Sequence, residues 1–448
     1  MIDLKTDELV EEPSERWKVD LLLLVGLVVG TFVGFGILGL LTGVPVSETI
    51  SLYRRVLFFA AAYSIITLAL NLHWGYTGLF NIGVAGFMAV GAYTMAMLTA
   101  DPDASVPGLG LPIPIGVLVG VIAAGFVGFF LALPALRVRA DYFAIITLGF
   151  SEIVRLSMLS GSLREFTVAG RAMGTGGGSG IRYTAVRSII PWLRDRPGFG
   201  PVIDGIYQIG FQLGIASSVI DGLLYTAVIV VFVLLVYLLL TRIAFSPFGR
   251  VLKAIREDEV AARSLGKNTT RAKITVFVLG CMLMGLGGIL WQGSRSHLSP
   301  TNFMPIVTFY VFVALIVGGS GSNTGAIAGA FGFAAFLWEG PRYVRQIVRS
   351  NLDVRAPRSL WDAIEALFLQ FDPLPLIGYV TGSLDELRFV LVGVTLIVLM
   401  IWRPHGLLGN RKELSAATNI TKRPATDGGS PEPPDWATDR SEVTGDDE

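Results

Sequence analysis

Residues able to carry chemistry are few in this chain of 448 residues, and their spacing excludes most reactions. The nearest approach to a phosphate-binding loop is "ARSLGKNTT" at 262–270. Such a loop needs a glycine five residues before the Gly-Lys pair, so that backbone amides can cradle phosphate, and a Ser or Thr after the lysine to hold magnesium. Ala261 and Asn268 stand in those two places, so the chain is not expected to hydrolyse ATP. The histidines, His73, His297 and His405, lie far apart, and none belongs to an H-E-x-x-H pair. Cys281 is the only cysteine, which excludes an intramolecular disulfide and a two-cysteine metal site. Neither an enzyme nor a metal site is expected. Among the apolar runs, Glu152 and Glu339 are the notable acids. Glu152 stands three residues before Arg155 on one helix, close enough to pair. That spacing favours a structural ion pair over the proton relay that an ion-coupled secondary transporter places at membrane depth.

One charged run remains, "GRVLKAIREDEVAARSLGKNTTR" at 249–271. Its helix formers and Gly266 predict a single helix ending at that glycine. Val251, Leu252, Ile255, Val260 and Leu265 give it an apolar side; Lys253, Arg256, Glu257 and Glu259 make a broad polar face. A basic helix lying on anionic headgroups is one reading. The consecutive acids Glu257, Asp258 and Glu259 oppose that reading, and they suit a protein partner whose complementary charges fix register.

The elements that position these residues lie in a bilayer. Hydrophobic residues make up 52% of the chain and charged residues 16%, against about a quarter charged in an ordinary soluble domain. Runs such as "LLLLVGLVVGTFVGFGILGLL" (21–41) and "GLLYTAVIVVFVLLVYLLL" (222–240) are uncharged over the roughly 20 residues a crossing helix needs. Neither resembles a signal peptide. Spans are predicted near 20–41, 53–72, 76–99, 112–136, 142–158, 222–241, 274–293, 306–319, 325–339 and 387–402, about ten helices in an all-α integral membrane protein. Lys and Arg mark cytoplasmic loops. The loop 242–273 holds eight basic and three acidic residues and, with "RVRAD" (137–141), is placed inside; acidic "DPDASVPGLG" (101–110) is placed outside. Both termini then face the cytoplasm, with long outer loops at about 159–221 and 340–386. Arg54 and Arg55 fall on the outer side, against the rule. A cytoplasmic N-terminal segment (1–19) precedes the membrane domain (20–412). The tail 413–448 carries nine acidic and three basic residues, so 3 − 9 = −6. It is too polar to bury a core and reads as disordered.

Glycines recur at spacing four, at Gly26, Gly30 and Gly34, at Gly116 and Gly120, and at Gly325 and Gly329, as in close helix packing. Two stretches go further. "NLHWGYTGLFNIGVAGFMAVGAYT" (71–94) combines glycines with Asn71, His73 and Asn81, and "GGSGSNTGAIAGA" (318–330) interrupts two short apolar segments. Unwound backbone at this depth is tolerated only where it is buried in protein or lines a cavity. Gly-broken short segments point to a substrate path, with a packing seam as the plain alternative.

The ordered series of motifs resembles the permeases of branched-chain amino acid ABC importers, LivM type. The 71–94 segment resembles the family's N-L-x-x-G-Y-x-G-x-x-x-x-G-x-x-x-F-x-x-x-G-A-Y at Asn71, Leu72, Gly75, Tyr76, Gly78, Gly83, Phe87, Gly91, Ala92 and Tyr93. "RVRADYFAIITLGFSEIVRL" (137–156) resembles R-x-x-G-D-Y-x-A-I-x-T-L-G-F-x-E-I-V-R, with Ala140 replacing glycine. "LSPTNF" (298–303), "GGSGSNTGAIAGA" and "RPHGLLG" (403–409) follow in order. "AARSLG" (261–266) is similar to the EAA loop that docks in an ATPase cleft, with Val260 where the strict pattern has Glu.

The resemblance implies a type II ABC importer-like permease fold. It also implies a second permease subunit, LivH-like, two cytoplasmic ATPase subunits that use ATP and magnesium, and an extracytoplasmic substrate-binding protein. No cofactor and no nucleic acid is expected on this chain, and lipid surrounds it. The ATPase-coupling loop would use Arg250, Arg256, Glu257, Asp258, Glu259, Ala261, Ala262 and Gly266. Candidates along the translocation path are Asn71, Gly75, Tyr76, Gly78, Asn81, Gly83, Phe87, Thr147, Gly318, Gly319 and Gly321. Leu79 and Val84 replace polar residues of many relatives and hint at an apolar path. Cargo is expected to be aliphatic amino acids, with urea or short amides as the alternative and an ion-coupled transporter behind both.

Overall fold

The computed structural model describes residues 16–168, 170–352 and 357–408. The N-terminal segment falls largely, and the acidic tail wholly, outside them. The chain opens with α1 (Arg16–Leu41), α2 (Val46–Leu70), α3 (Val84–Thr99), α4 (Ile113–Ala135) and α5 (Ala140–Leu159). Next come the short α6 (Ile189–Arg194) and α7 (Gly200–Gln212), then the long α8 (Ser217–Phe245), the paired α9 (Pro247–Glu257) and α10 (Glu259–Ser264), and α11 (Thr269–Gln292). α12 (Ile306–Gly318), α13 (Asn323–Gly332) and α14 (Gly340–Asn351) follow, then α15 (Leu360–Leu369), α16 (Leu374–Gly382) and α17 (Leu384–Trp402).

Each apolar run of the sequence lies in helix, but the count resolves differently. Among the described residues, six helices are long and apolar enough to cross a membrane: Lys18–Leu41, Val46–Gly75, Ile113–Ala135, Asp141–Leu159, Ser217–Phe245 and Thr269–Gln292. The runs at 306–319 and 325–339 are two arms of one pair, Ile306–Gly318 and Asn323–Asn351, bent by 117°, which raises the number to seven if it is a single span. The run at 76–99 becomes helix only from Val84, because residues 78–83 are non-helical. The helix left over, Val84–Thr99, is too short on its own to traverse about 30 Å of hydrocarbon.

The long segments outside the spans are built, not open coil. Within 159–221, β1 (Phe166–Val168) pairs antiparallel with β2 (Arg171–Met173). β3 (Ile181–Arg182) pairs antiparallel with β4 (His297–Leu298), setting Ile181 opposite Leu298 and tying this segment to the chain just after α11. α14, α15 and α16 fill most of 340–386.

Helices α3, α4 and α11 form the tightest part of the core, and glycine sets their separation. A methyl group at Gly91 would sit 2.7 Å from the Cα and the carbonyl oxygen of Gly285, and one at Gly120 2.6 Å from the carbonyl of Gly91. Hydrocarbon removes the hydrophobic drive between helices, so this close approach supplies the dispersion contact that holds them. Gly116 lies against Thr99 in the same way, and Gly329 against Gly318 and Ala314. The stripe Gly26, Gly30 and Gly34 differs. Nothing lies within 4 Å of a methyl placed at any of the three, and α1 exposes most of its apolar surface.

Of the two arginines expected on the outer side, Arg55 has a buried partner. Glu339 is fully buried and receives Arg55 Nε at 2.9 Å and Arg342 at 2.9 Å. A buried carboxylate without such partners is strongly destabilising, so Arg55 is held by its acid.

Gly91→Ala should force α3 away from α11 at a cost of about 1–3 kcal/mol, read as a lowered apparent unfolding midpoint in detergent. Gly30→Ala should leave that midpoint within about 0.5 kcal/mol of the parent.

Candidate translocation and coupling site

The first break starts where α2 loosens. Residues Asn71–Gly75 form a π turn, in which the Tyr76 amide donates to the carbonyl of Asn71. Turns of this kind cluster at functional positions in helices. Thr77 Oγ1 takes the His73 carbonyl at 2.5 Å, and Gly78, at φ +72°, turns the chain out of the helix. Only glycine enters that left-handed region without steric cost.

Unwound amides inside a membrane need acceptors, and three polar side chains supply them. Thr147 on α5 accepts from the Ile82 amide at 3.0 Å, Asn81 Oδ1 from Gly83 at 2.8 Å, and Thr308 on α12 from Ala85 at 3.0 Å. Asn81 is oriented in turn by His73, whose Nδ1 lies 3.2 Å from Asn81 Nδ2. The other imidazole nitrogen, Nε2, is 3.1 Å from the Phe277 carbonyl. A carbonyl accepts and an amide NH2 donates, so both contacts hold only for the neutral Nε2–H tautomer. His73 is therefore a structural brace, with Gly280 clearing the space for its ring.

The second break lies between α12 and α13. Gly319 and Gly321 have φ of +108° and +91°, and Ser322 Oγ accepts from Gly325 at 3.1 Å to start α13. The end of α12 is closed from far along the chain. The amides of Leu407 and Leu408 donate to the carbonyls of Val317 (2.8 Å) and Gly318 (3.0 Å). Gly406, at φ +79°, makes this possible, because a side chain there would collide with the Gly319 amide and the Ile316 carbonyl. The "RPHGLLG" motif thus serves as the cap of a helix about 90 residues earlier.

Asn71 joins the two breaks. Its Oδ1 accepts from the Gly321 amide at 2.7 Å, and its Nδ2 donates to Asn323 Oδ1 at 3.2 Å. Asn323 Nδ2 reaches Thr241 Oγ1 on α8 at 3.3 Å. Thr324, beside it, donates to the buried Asp20 of α1 at 3.0 Å and lies 3.2 Å from the Tyr237 hydroxyl. One polar chain therefore links α1, α2, α8 and α13.

The charged run packs against the first break. It is not one helix: Asp258 interrupts it in extended conformation (φ −153°, ψ 106°), ending α9 and capping α10 through the amides of Val260 (2.8 Å) and Ala261 (3.0 Å). An aspartate competes for backbone amides in this way wherever a cap geometry is available. Gly266, at φ +75°, ends α10. Arg256 leaves the expected polar face and donates from its NH1 to the Gly75 carbonyl, while its aliphatic stem lies beside Gly78. The Lys253 ammonium sits 5.9 Å from the Tyr76 ring centre. Glu259 is tied inside the loop, to Lys273 at 2.5 Å and Arg263 at 3.3 Å. Burial pushes its carboxyl up, but Lys273, Thr269 and Arg263 outweigh that and hold it below the usual carboxylate range. Arg250, Glu257, Asp258, Ala261 and Gly266 are exposed, whereas Ala262 is buried. Val260 and Leu265 are 75% and 79% exposed, two apolar knobs on the outside of α10.

Of the residues expected along a path, Asn71, Gly75, Tyr76, Gly78, Asn81, Gly83, Thr147, Gly319 and Gly321 gather at the breaks, with Gly318 at the end of α12. Phe87 lies elsewhere, fully buried among the rings of Phe150 and Phe277 at 4.9 and 5.7 Å. Leu79 and Val84 are also buried and line no open surface of this chain. Thr308, Ser322, Asn323 and Thr241 escaped sequence reasoning, although Thr308 is the one small polar residue within the apolar run "VTFYVFV". Glu152 and Arg155 form the expected pair, at 2.5 and 2.8 Å. Among the described residues, no group of His, Cys, Asp and Glu is arranged to hold a metal.

Residues 52–339 match the family described as "Branched-chain amino acid transport system / permease component". The chain belongs to that family. This branched-chain amino acid permease component is 30% identical to the Salmonella typhimurium "High-affinity branched-chain amino acid transport system permease protein LivM" over 353 residues, covering 77% of this chain and 67% of the relative. The corresponding "Probable" LivM of Methanocaldococcus jannaschii is 24% identical over 389 residues, 80% of this chain and 94% of the relative. The Escherichia coli K12 permease protein LivH is 26% identical over 272 residues, 60% and 78% of the two chains. No solved structure matches. The permease is thus a transport subunit and not an enzyme, and both glycine-broken segments fall within the matched region.

Asn71→Leu keeps the number and branching of the side-chain heavy atoms while removing the acceptor for Gly321 and the donor to Asn323. The permease should lose about 1–3 kcal/mol, and hydrogen exchange at 319–322 should accelerate while α4 keeps its protection.

Proposed function

We propose that this permease is one half of the membrane channel of an ATP-binding cassette importer carrying branched-chain or other aliphatic amino acids into the cell. The observation that carries this reading is the junction of two glycine-broken helices at Asn71, directly beside a charged helix pair with exposed apolar knobs. A fixed break of this kind gives a polar crossing point inside hydrocarbon, and the helix pair gives a separate motor something to push.

The other half is a second permease of the LivH kind, a likeness already present in the similarity to the Escherichia coli protein. Two cytoplasmic ATPase subunits supply ATP and magnesium chemistry, since "ARSLGKNTT" lacks the phosphate-loop residues. An extracytoplasmic binding protein selects and delivers cargo. The location is the cytoplasmic membrane, with 242–273 and both termini on the cytoplasmic side, from the eight basic residues of that loop. ATP closes the ATPase dimer, α9 and α10 move, and the path between permeases reopens to the opposite side. Shifting a gate from mostly shut to mostly open needs roughly 5.5 kcal/mol of differential binding. Glu152 locked to Arg155, Glu339 to Arg55 and Arg342, Asp20 bonded to Thr324 and His73 held neutral leave little for ion coupling, which sets the secondary-transporter reading behind this one.

Reconstituted with these partners, the permease should accumulate leucine, isoleucine or valine only with ATP and binding protein present. Uptake by the chain alone under an ion gradient, or uptake of urea in preference to these amino acids, would overturn the proposal. The α10 surface is tested by Leu265→Asp and Glu257→Lys. Each should reduce ATPase co-purification about tenfold, equivalent to about 1.4 kcal/mol, without loss of membrane insertion. Asp258 and Glu259 are poorer probes, because one caps α10 and the other pairs with Lys273.

A further inference from the structure

Arg256 lies in the coupling loop but does not face outward from it. Its guanidinium donates to the carbonyl of Gly75, at the end of the π turn, and its stem rests 3.6 Å from where a methyl on Gly78 would stand. Gly75 is itself the most crowded point of the first break. A methyl there would lie 2.0 Å from Asn71 Oδ1 and 2.8 Å from the Gly321 amide. Three parts of the molecule therefore converge on one glycine: the coupling helix through Arg256, the first break through Asn71, and the second break through Gly321. We infer that Arg256 is a positioning residue that transmits displacement of α9 to both helix breaks through Gly75.

The chemistry of the contact suits that role. The carbonyl of Gly75 lies where α2 stops, so its helical partner is missing and a charged donor meets it instead. Hydrogen bonds from a charged donor are roughly twice as strong as neutral ones. The planar guanidinium is pre-organised, so little freedom is lost when the bond forms. Leu252, one turn before Arg256 on the same side of α9, and Ile255 are buried in the core, which makes the helix and the arginine one rigid piece. The unwound stretch 78–83 is the part free to respond, since the amides of Ile82 and Gly83 are held by single side-chain bonds and those of Gly78, Leu79 and Asn81 by separate backbone bonds, not by a continuous helical ladder.

This inference rests on the importer reading above, and the two fail differently. In the assembled complex, a non-hydrolysable ATP analogue should change hydrogen exchange in 247–257 and in 76–83 together. In Arg256→Gln the response should persist in 247–257 and vanish from 76–83, with amino acid uptake per ATP hydrolysed falling at least tenfold. Arg256→Lys, which keeps the charge but loses the fork, should fall between, at about threefold. ATPase co-purification should survive both changes, unlike in Leu265→Asp. A normal 76–83 response or normal uptake per ATP in Arg256→Gln overturns the inference and leaves the importer reading standing. If the Gln variant does not assemble, parental complex whose response stops at 247–257 overturns it equally. No nucleotide response in 247–257 at all removes the coupling reading, and this inference with it.

Discussion

A helix that stops inside a membrane protein, away from water, leaves amides and carbonyls without a solvent partner, at a cost of about 1–3 kcal/mol for each one left unmet. This permease stops two helices in buried surroundings, and the breaks meet at Asn71, whose side-chain oxygen accepts from Gly321 and whose side-chain NH2 donates to Asn323. Every other feature of the site follows from that need for partners. Thr147, Thr308 and Asn81 receive the amides of 82–85, Arg256 covers Gly75, and Leu407 and Leu408 cover the end of α12. The breaks are thus part of a continuous bonding scheme to which α2, α5, α8 and α12 all contribute.

Packing and polarity divide the work. Around α3, α4 and α11 the helices approach to backbone contact through Gly91, Gly120 and Gly285, which leaves little room for movement. Around the breaks the contacts are directional bonds between side chains and backbone. Interhelical bonds of that kind average only about 0.6 kcal/mol each in a membrane, so they can be exchanged one at a time. A stiff glycine-packed body beside an exchangeable polar junction is the arrangement that a gate driven from one end requires.

Much of this was legible in the residues, and the remainder was hidden for identifiable reasons. The apolar runs marked every membrane helix, and Asn71, Gly78 and Asn81 marked the first break, because lone polar groups and glycines in such runs have few other uses. The family resemblance was borne out by the match across 52–339. Periodicity could not show that 306–319 and 325–339 fold into one bent pair, since the 117° turn depends on Gly319 and Gly321 at positive φ and on a partner at Asn71. Nor could it show that Asp258 divides the charged run. A single aspartate is tolerated within a helix, and here the cap geometry wins. Arg256 was assigned to the polar face because helical spacing sets it one turn from Lys253, but its target is a carbonyl far away in sequence. The glycine stripe of α1 is a packing pattern that meets no neighbour among the described residues.

The closure of α12 by Leu407 and Leu408 bears on how the permease is made. α12 and α13 are synthesised and inserted well before residue 408 leaves the ribosome. Throughout that interval the carbonyls of Val317 and Gly318 have no protein donor. The second break is therefore completed only when α17 has been placed and the chain beyond it folds back. Folding is thereby made to end at this break: a chain cut short before Gly406 lacks the amides that close α12.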